Sequence, residues 1–279
     1  MKTSPEPSAW PIHPPSNREN DPVFLFLFTP PYSGSTALAH ILNSAPASMI
    51  LRSNGEGQWL VPGLCADDRW DPRKAIHWDS VRSVWLNQVQ FVEELVGPIE
   101  LVIEKSPPNL ARSAQLLEHF PRHEIMVFNR NPYANCSSIL YRQYPAEDQS
   151  EKERISILTD LANQWVERTQ YAKAIIDEHD PLAFTYEEFC ADVASTIHRV
   201  VTRIPSLRGI DPHRKVLVKD YAPQKISNQN QRQISRLTDR ELAAIGEQLQ
   251  SHENLLKDFG YTSDWKQAEA QGGARYSDL

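Results

Sequence analysis

The sequence predicts an α/β protein, a single domain with a central parallel β-sheet flanked by helices and a P-loop-like phosphate-binding loop. Three observations support this prediction. Short apolar runs, typical of strands buried on both faces, recur along the chain. Segments with helical periodicity separate these runs, as in parallel sheets covered by helices. A loop rich in hydroxyl groups, with one glycine, directly follows the first apolar run.

The chain is long enough for a large α/β domain. Its 279 residues are 40% hydrophobic and 23% charged, a balance typical of a packed globular core. Proline and polar residues dominate the beginning of the chain, so we expect a flexible tail over residues 1–21. We place the folded domain at residues 22–262 and a C-terminal tail at residues 263–279.

Charge and cysteine content favour some classes of protein over others. The net charge of −7 argues against a nucleic-acid partner. The cysteines Cys65, Cys136 and Cys190 are widely spaced, which predicts neither a disulfide framework nor a metal site. Because the start lacks the apolar core of a signal peptide and the run at 23–28 is too short to span a bilayer, we expect a cytoplasmic protein without an integral membrane segment.

The first half of the domain contains two predicted strands and two predicted helices. VFLFLF at 23–28 is continuously apolar and predicts a buried strand, followed by a short helix at 35–42. Apolar residues four positions apart predict a helix over 79–95. IELVIE at 99–104 predicts the second strand.

The middle of the chain repeats this alternation. Apolar residues on one face predict a helix at 109–120, and EIMVFN at 124–129 predicts the third strand. We expect a helix at 132–144, because Pro132 suits a first helical turn, and a long helix at 150–179.

The last third contains one more strand and two helices. PLAFTY at 181–186 predicts the fourth strand, and a helix is expected at 187–204. The capping-box pattern Thr-Asp-Arg-Glu predicts the start of a final helix over 238–259. Since ligands of such sheets bind beyond the carboxyl ends of the strands, we expect the chemistry just after the four predicted strands.

The loop at 29–36 has the composition of an anion-binding turn. Gly34 permits close approach of the backbone to a ligand, and Ser33, Ser35 and Thr36 add hydroxyl donors. Free N–H groups at the start of the next helix favour an anion. A plain polar turn is the alternative interpretation. The Walker A pattern is missing, which disfavours a magnesium-dependent NTPase.

A second candidate anion site follows the third strand. Arg130 stands at the end of that strand, and Ser138 lies about two turns into the next helix. An arginine fork and a hydroxyl suit one phosphate group, although a surface arginine and a helix-interior serine are the plainer interpretation.

Together, these loops resemble the sulfotransferase family. TPPYSGSTAL is similar to its 5′-phosphosulfate loop, and FNRNPYANCSS to its 3′-phosphate motif. The segment at 43–64 resembles the one that carries a catalytic glutamate in tyrosylprotein and related bacterial sulfotransferases. Three more segments are similar to family motifs: EKSP at 104–107, TYEEF at 185–189 and the ending at 255–261. The resemblance spans about residues 23–261 in the family's order and implies the sulfotransferase fold.

The resemblance implies 3′-phosphoadenosine-5′-phosphosulfate (PAPS) as the cofactor, with the product PAP and no required metal. The cofactor-binding residues that it implies are Tyr32, Ser33, Gly34, Ser35, Thr36, Arg130, Ser138, Tyr186, Lys225, Ser227 and Asn228. In-line transfer of the sulfuryl group depends mainly on positioning and on cationic side chains. The acceptor is expected to be a hydroxyl or amine of a small molecule, sugar, lipid or peptide.

Three residues are catalytic candidates. The resemblance implies Glu56 as the base and Lys105 as the cation that stabilises the transferring group. His77 is a rival base, although a histidine beside a tryptophan is more often simply packed. Glu56 lies in Asn-Gly-Glu-Gly, which is also the pattern of an exposed turn.

Tyr32 departs from the family pattern. The family usually has lysine or arginine directly before Ser-Gly, whereas a tyrosine carries no positive charge at neutral pH. Lys105 could supply the missing charge, a hydroxyl donor could support a slower reaction, or the protein could bind PAPS or PAP without transfer. A phosphotransferase on a related scaffold and a pure interaction protein are the remaining alternatives.

Overall fold

Five parallel strands form the central sheet, in the order β2-β3-β1-β4-β5. The computed structural model describes residues 21–217 and 222–271, with side chains described as far as residue 268. The strands are β1 (Val23–Phe28), β2 (Ser48–Ile50), β3 (Leu101–Glu104), β4 (His123–Asn129) and β5 (Leu182–Thr185). This architecture, with helices around a parallel sheet, confirms the predicted fold class.

The helices connect and cover these strands. They are α1 (Ser35–Leu42), α2 (Trp78–Val96), α3 (Ser113–His119), α4 (Pro132–Gln143), α5 (Glu151–His179), α6 (Tyr186–Ala191), α7 (Val193–Arg203), α8 (Asn230–Ile234), α9 (Asp239–Leu249), α10 (Glu253–Asp258) and α11 (Trp265–Gln271). Short 3-10 turns lie at Gly57–Leu60, Pro107–Arg112, Ala146–Asp148, Pro205–Leu207 and Gln250–His252.

Alternate residues of β1 face two separate cores, as expected for a strand buried on both sides. Phe24 and Phe26 pack on one face with Phe120, the ring centroid of which lies 4.7 Å and 5.5 Å from theirs. Leu25 and Leu27 belong to the opposite core. Burial on both faces fixes the centre of the sheet and thereby the position of the loop after β1.

The strand register brings the predicted loops to one edge. Phe26 pairs with Glu104 of β3, Phe28 pairs with Val127 of β4, and Asn129 pairs with Thr185 of β5. The carboxyl ends of these four strands therefore lie side by side. After β3 the chain crosses from one side of β1 to the other, and ligands of open α/β sheets bind at such a reversal of strand order.

Two local features differ from the sequence-based prediction. The strand β2 was not predicted, because its three residues are too few to show a period. The predicted helix at 109–120 begins instead as a 3-10 turn at Pro107–Arg112 and becomes α-helical at Ser113. The prolines at 107 and 108 lack N–H donors, so they suit a tight first turn.

Two long predicted helices are each divided. The stretch at 187–204 breaks at Asp192, which leaves the helical region and caps α7 by accepting a hydrogen bond from the Ser195 amide. The stretch at 238–259 contains a 3-10 turn between α9 and α10. The predicted capping box at its start is present, with Thr238 and Glu241 as partners.

The ends of the domain are only partly described. The predicted tail at 1–21 lies outside the described residues except for Asp21, and residues 272–279 also lie outside them. Packed structure continues past the predicted boundary at 262, since Ala268 of α11 is buried. Within the described ranges, no helix combines the length and the apolar content needed to cross a membrane.

Candidate active site

A cleft of about 800 Å³ opens at the carboxyl edge of the sheet. The loops after β1, β3, β4 and β5 contribute to its walls. Among the described residues that line it, eight are lysine or arginine and one, Glu56, is acidic. Because the whole chain has a net charge of −7, this local excess of positive charge is a specific feature that attracts anions.

The loop after β1 has an unusual backbone. Both Tyr32 and Gly34 have positive φ angles, of 63° and 88° respectively. A Cβ atom on Gly34 would lie 2.6 Å from Cδ2 of Tyr186, so the position admits only glycine in this packing. A tyrosine in the left-handed region indicates strain that the surrounding structure maintains.

Asn135 of α4 holds this loop in place. Its side-chain amide donates to the Pro31 carbonyl at 2.8 Å and to Oγ of Ser33 at 3.5 Å. Ser33 is buried behind the loop, whereas Ser35 and Thr36 line the cleft at the start of α1. The free N–H groups at the N-terminus of α1 therefore lie at the cleft, where they add to its attraction for anions.

Arg130 is the central cation of the cleft. It is buried, and its Nη1 donates to the Tyr32 carbonyl at 3.0 Å and to Oγ of Ser138 at 3.3 Å. Its Nε donates to Oδ1 of Asn230 at 2.8 Å. Its Nη2 is also buried but has no hydrogen-bond partner among the described residues. A buried guanidinium donor without an acceptor is costly, which indicates a site for an anion.

A buried network fixes the orientation of Arg130. Its partner Asn230 also donates to the carboxylate of Glu187. Glu187 further accepts from the Asn131 amide at 3.0 Å and from the Tyr261 hydroxyl at 2.8 Å. Three residues distant in sequence from Arg130 thus support its guanidinium, Asn230 directly and Glu187 and Tyr261 through Asn230, and such supporting contacts make a charged site rigid.

Tyr186 connects Arg130 to the segment at 222–229. The Arg130 Cζ atom lies 4.4 Å from the Tyr186 ring centroid, in cation–π contact. The Tyr186 hydroxyl donates to the Ser227 carbonyl and accepts from the Gln229 amide, both at 3.0 Å. Lys225 and Ser227 line the cleft, so this segment forms part of its wall.

Asn228 has a local structural contact. Its Oδ1 accepts a hydrogen bond from the Asn230 amide at 2.8 Å, at the start of α8. This contact orders the turn before Asn230, the residue that accepts a hydrogen bond from Arg130. Asn228 does not belong to the described lining of the cleft.

Glu56 and Lys105 form a partly buried ion pair, with 2.9 Å between Oε1 and Nζ. The other carboxylate oxygen of Glu56 accepts from Gln58 at 2.9 Å and from the Trp59 indole at 2.8 Å. Burial raises the pKa of Glu56, but the charge of Lys105 and these hydrogen bonds together bring it below its ordinary value. Glu56 is therefore ionised at neutral pH and faces the cleft.

Glu104 fixes the turn that contains Glu56. This fully buried carboxylate accepts from the Gly57 amide at 3.1 Å, from Asn109 at 2.7 Å, and from the amide and hydroxyl of Ser106. Burial raises the pKa of Glu104 to about 7, against the opposing effect of these hydrogen bonds. Its protonation state thus changes near neutral pH.

The raised pKa of Glu104 predicts a pH-dependent stability. Between its ordinary pKa of 4.5 and about 7, the folded chain holds a proton that the unfolded chain releases. This stabilisation is complete below pH 4.5 and is lost as the pH rises through about 7, an effect of about 3 kcal/mol. Urea unfolding at about pH 5 and about pH 8 should show a smaller loss in Glu104→Gln than in the wild type.

The control is Glu247→Gln, which removes an exposed carboxylate from α9. This variant should keep the pH dependence of the wild type. Equal losses of stability in the wild type and in Glu104→Gln would show that Glu104 has an ordinary pKa.

His77 lies at the N-terminus of α2, where its ring nitrogen Nδ1 accepts from the Ser80 amide at 3.3 Å and contacts the Ser80 hydroxyl at 2.9 Å. It is not among the residues that line the cleft. The structure therefore brings Glu56 and Lys105 into the same cleft as the loops after β1 and β4 and places His77 in a helix cap. In the described part of the chain, no three His, Cys, Asp or Glu side chains form a group that could hold a metal ion.

Sequence reasoning missed several residues of the site. Asn135, Asn230 and Glu104 are buried polar residues that support the loops. Asn135 and Glu104 lie in motifs that the sequence analysis singles out, but no role was predicted for them, and Asn230 lies outside those motifs. Arg69 and Arg168 line the cleft without any local pattern that indicates it. The signals that could have found Glu104 and Asn135 are their positions: Glu104 ends a predicted strand directly before Lys105, and Asn135 lies between Arg130 and Ser138.

Comparisons with known proteins identify a family and a similar fold. Residues 22–205 match the family model described as "Sulfotransferase family". The sulfotransferase STF9 from Mycobacterium avium has a similar structure, with a TM-score of 0.55, 13% identity, and coverage of 86% of this chain and 77% of that one. A sulfotransferase from Alicyclobacillus acidocaldarius gives 0.45 at 15% identity, over 81% of this chain and 95% of that one. No curated protein sequence gives a significant match.

Proposed function

Because the chain belongs to the sulfotransferase family, we propose that it transfers a sulfuryl group from PAPS to a hydroxyl or amine of an acceptor. The main support is the unpartnered Nη2 of Arg130, buried within the positively charged cleft. The 3′-phosphate that distinguishes PAPS from ATP would supply the missing acceptor at this atom. The acceptor molecule is a small molecule, sugar, lipid or peptide.

The cleft fits this cofactor. Arg130 and Ser138 would bind the 3′-phosphate, since Nη1 of Arg130 already lies 3.3 Å from the Ser138 hydroxyl. Gly34, Ser35 and Thr36 would bind the 5′-phosphosulfate, because all three line the cleft and the N-terminus of α1 favours anions. Tyr32 and Ser33 belong to the same loop.

The remaining cofactor contacts come from two segments. Tyr186 would line the adenine site, and its ring is already positioned by Arg130 and by the Ser227 carbonyl. Lys225 and Ser227 would cover the cofactor from the segment at 222–229, and Asn228 would order that segment.

Glu56 and Lys105 are suited to the chemical step. When bound, PAPS would supply the sulfuryl group, whose sulfur would bond to the acceptor oxygen or nitrogen as its bond to the nucleotide breaks. Glu56 would take the acceptor proton, since its low pKa keeps it ionised at neutral pH. Lys105 would stabilise negative charge on the oxygens of the sulfuryl group. It would thereby replace the basic residue that the family usually has at the position of Tyr32, which carries no positive charge.

A second candidate function is binding of PAPS or PAP without transfer. It is favoured by Tyr32, which occupies the position of the usual basic residue, and by the pairing of Lys105 with Glu56. A radiolabelled sulfuryl transfer assay over a panel of acceptors separates the two functions. Tight PAP binding with no turnover for any acceptor would favour the second.

The first experiment is calorimetry with PAP, AMP and ATP in the absence of magnesium. We expect PAP to bind about 100-fold more tightly than AMP, because only PAP presents a 3′-phosphate to Arg130. Equal affinities for PAP and AMP, or preferential binding of ATP, would contradict the assignment of the cofactor.

A further inference from the structure

Arg168 is a second buried arginine of the cleft, away from the loops assigned to the cofactor. It lies on α5 and is 9% exposed. Its Nη2 donates to Oε1 of Gln164 at 2.7 Å, and its Cζ lies 4.3 Å from the ring centroid of Trp70. All three side chains line the cleft. The guanidinium is thus held by an aromatic ring and a neutral amide, not by a carboxylate.

A second guanidinium adds positive charge to this region. Burial lowers the pKa of Arg168 to about 10, neighbouring Glu167 acts in the opposite direction, and the charge of Arg69 lowers this pKa further. Arg168 therefore remains a cation at neutral pH. Glu167 is exposed, and its carboxylate accepts from the Tyr171 hydroxyl at 3.4 Å.

The aspartates of the segment that contains Arg69 and Trp70 pair with other cations, Asp68 with Lys74 and Asp71 with Arg73. Burial lowers the pKa of Arg112 against the opposing charges of Asp68 and Asp71, and Nη1 of Arg112 donates to the Arg69 carbonyl at 2.6 Å. No acidic side chain in the described ranges pairs with Arg168. A buried cation that no carboxylate contacts directly is costly, so the arrangement is suited to a ligand that provides such a contact.

We propose that Arg168, with Arg69 and Gln164, binds an anionic group of the acceptor: a carboxylate, or a sulfate or phosphate ester. The inference rests on the proposed function. The acceptor is favoured over the cofactor because Trp70, on which Arg168 stacks, belongs to the segment that follows the proposed base Glu56. The cofactor phosphates already have partners at the ends of β1 and β4.

The subsite is tested by direct binding of small probes, with and without saturating PAP. The matched pair is benzoate and benzamide, which have the same size and differ in charge. We expect benzoate to bind about 10- to 100-fold more tightly, as for a charge-assisted hydrogen bond. Benzenesulfonate and phenyl phosphate distinguish the three anionic groups.

Variants assign the preference to Arg168. Arg168→Met should abolish the preference for benzoate and leave PAP affinity unchanged, whereas Arg168→Lys should retain part of it because the charge remains. The control Arg208→Met removes an exposed arginine and should behave like the wild type. Arg69→Met provides a second test at a less buried position, with a smaller expected loss.

The possible results are separable. A preference for benzoate that persists in Arg168→Met, or no preference in the wild type, would overturn the subsite. Loss of PAP binding in Arg168→Met would assign the arginine to the cofactor instead. Failure of the wild type to bind PAP would overturn the proposed function, while the comparison of benzoate with benzamide in the absence of PAP would still test the subsite.

Discussion

Replacing Glu56 with Gln is expected to lower the turnover rate by about 100- to 10,000-fold, the range typical of a lost general base. Glutamine can still accept a hydrogen bond from Lys105 but cannot take the acceptor proton. PAP affinity should stay close to that of the wild type, because Arg130 and the loop after β1 are unchanged. The measurement combines a radiolabelled transfer assay with PAP calorimetry on the same preparation.

The variant also leaves a buried lysine without its counter-charge. Lys105 is 3% exposed at its side chain, so some loss of folding stability is expected, and the thermal midpoint must be measured. Glu118→Gln, which removes an exposed carboxylate of α3, is the matched control and should keep full turnover. Full turnover in folded Glu56→Gln would assign the base to His77 or another group.

Replacing Arg130 with Ala is expected to weaken PAP binding by about 100-fold or more, since a buried charge-assisted contact to a phosphate is removed. AMP affinity should change much less, because AMP lacks the 3′-phosphate. The variant should therefore bind PAP and AMP with similar affinity. Calorimetric titration of both nucleotides into wild type and variant gives this difference directly.

Two variants make the result specific. Arg130→Lys keeps the charge but loses the planar fork, so it should recover only part of the affinity. Arg203→Ala removes an exposed arginine that does not line the cleft, and it should bind PAP normally. If folded Arg130→Ala keeps wild-type PAP affinity, the 3′-phosphate lies elsewhere.

The fold class could be predicted because the strands of the sheet centre are buried on both faces. VFLFLF shows this burial as a continuous apolar run, and β3 and β4 contain similar runs. The edge strand β2 could not be predicted, since three residues define no period. Helix boundaries depended on single residues, such as Asp192, that leave the helical conformation to cap the next helix.

The candidate site could be predicted only where its residues are close in sequence. The loop at 29–36 and the pair of Arg130 and Ser138 each form a local pattern at a strand end. Contacts that depend on the folded chain have no such pattern: Asn230 lies 100 positions from Arg130, and Glu187 lies 43 positions from Asn230. The roles of the predicted site residues remain predictions that the proposed experiments test.

The residues that support Arg130 extend far along the chain and set a lower limit on the length that keeps this arginine in place. The family match ends at residue 205, yet Asn230 and Tyr261, which hold Glu187 and Arg130, lie beyond it. A truncated protein ending at residue 205 would contain the loops after β1 and β4 but would leave Glu187 with the Asn131 amide as the one remaining partner of those described. The smallest unit that keeps this network therefore extends to the Phe-Gly-Tyr ending at 259–261, well beyond the family match.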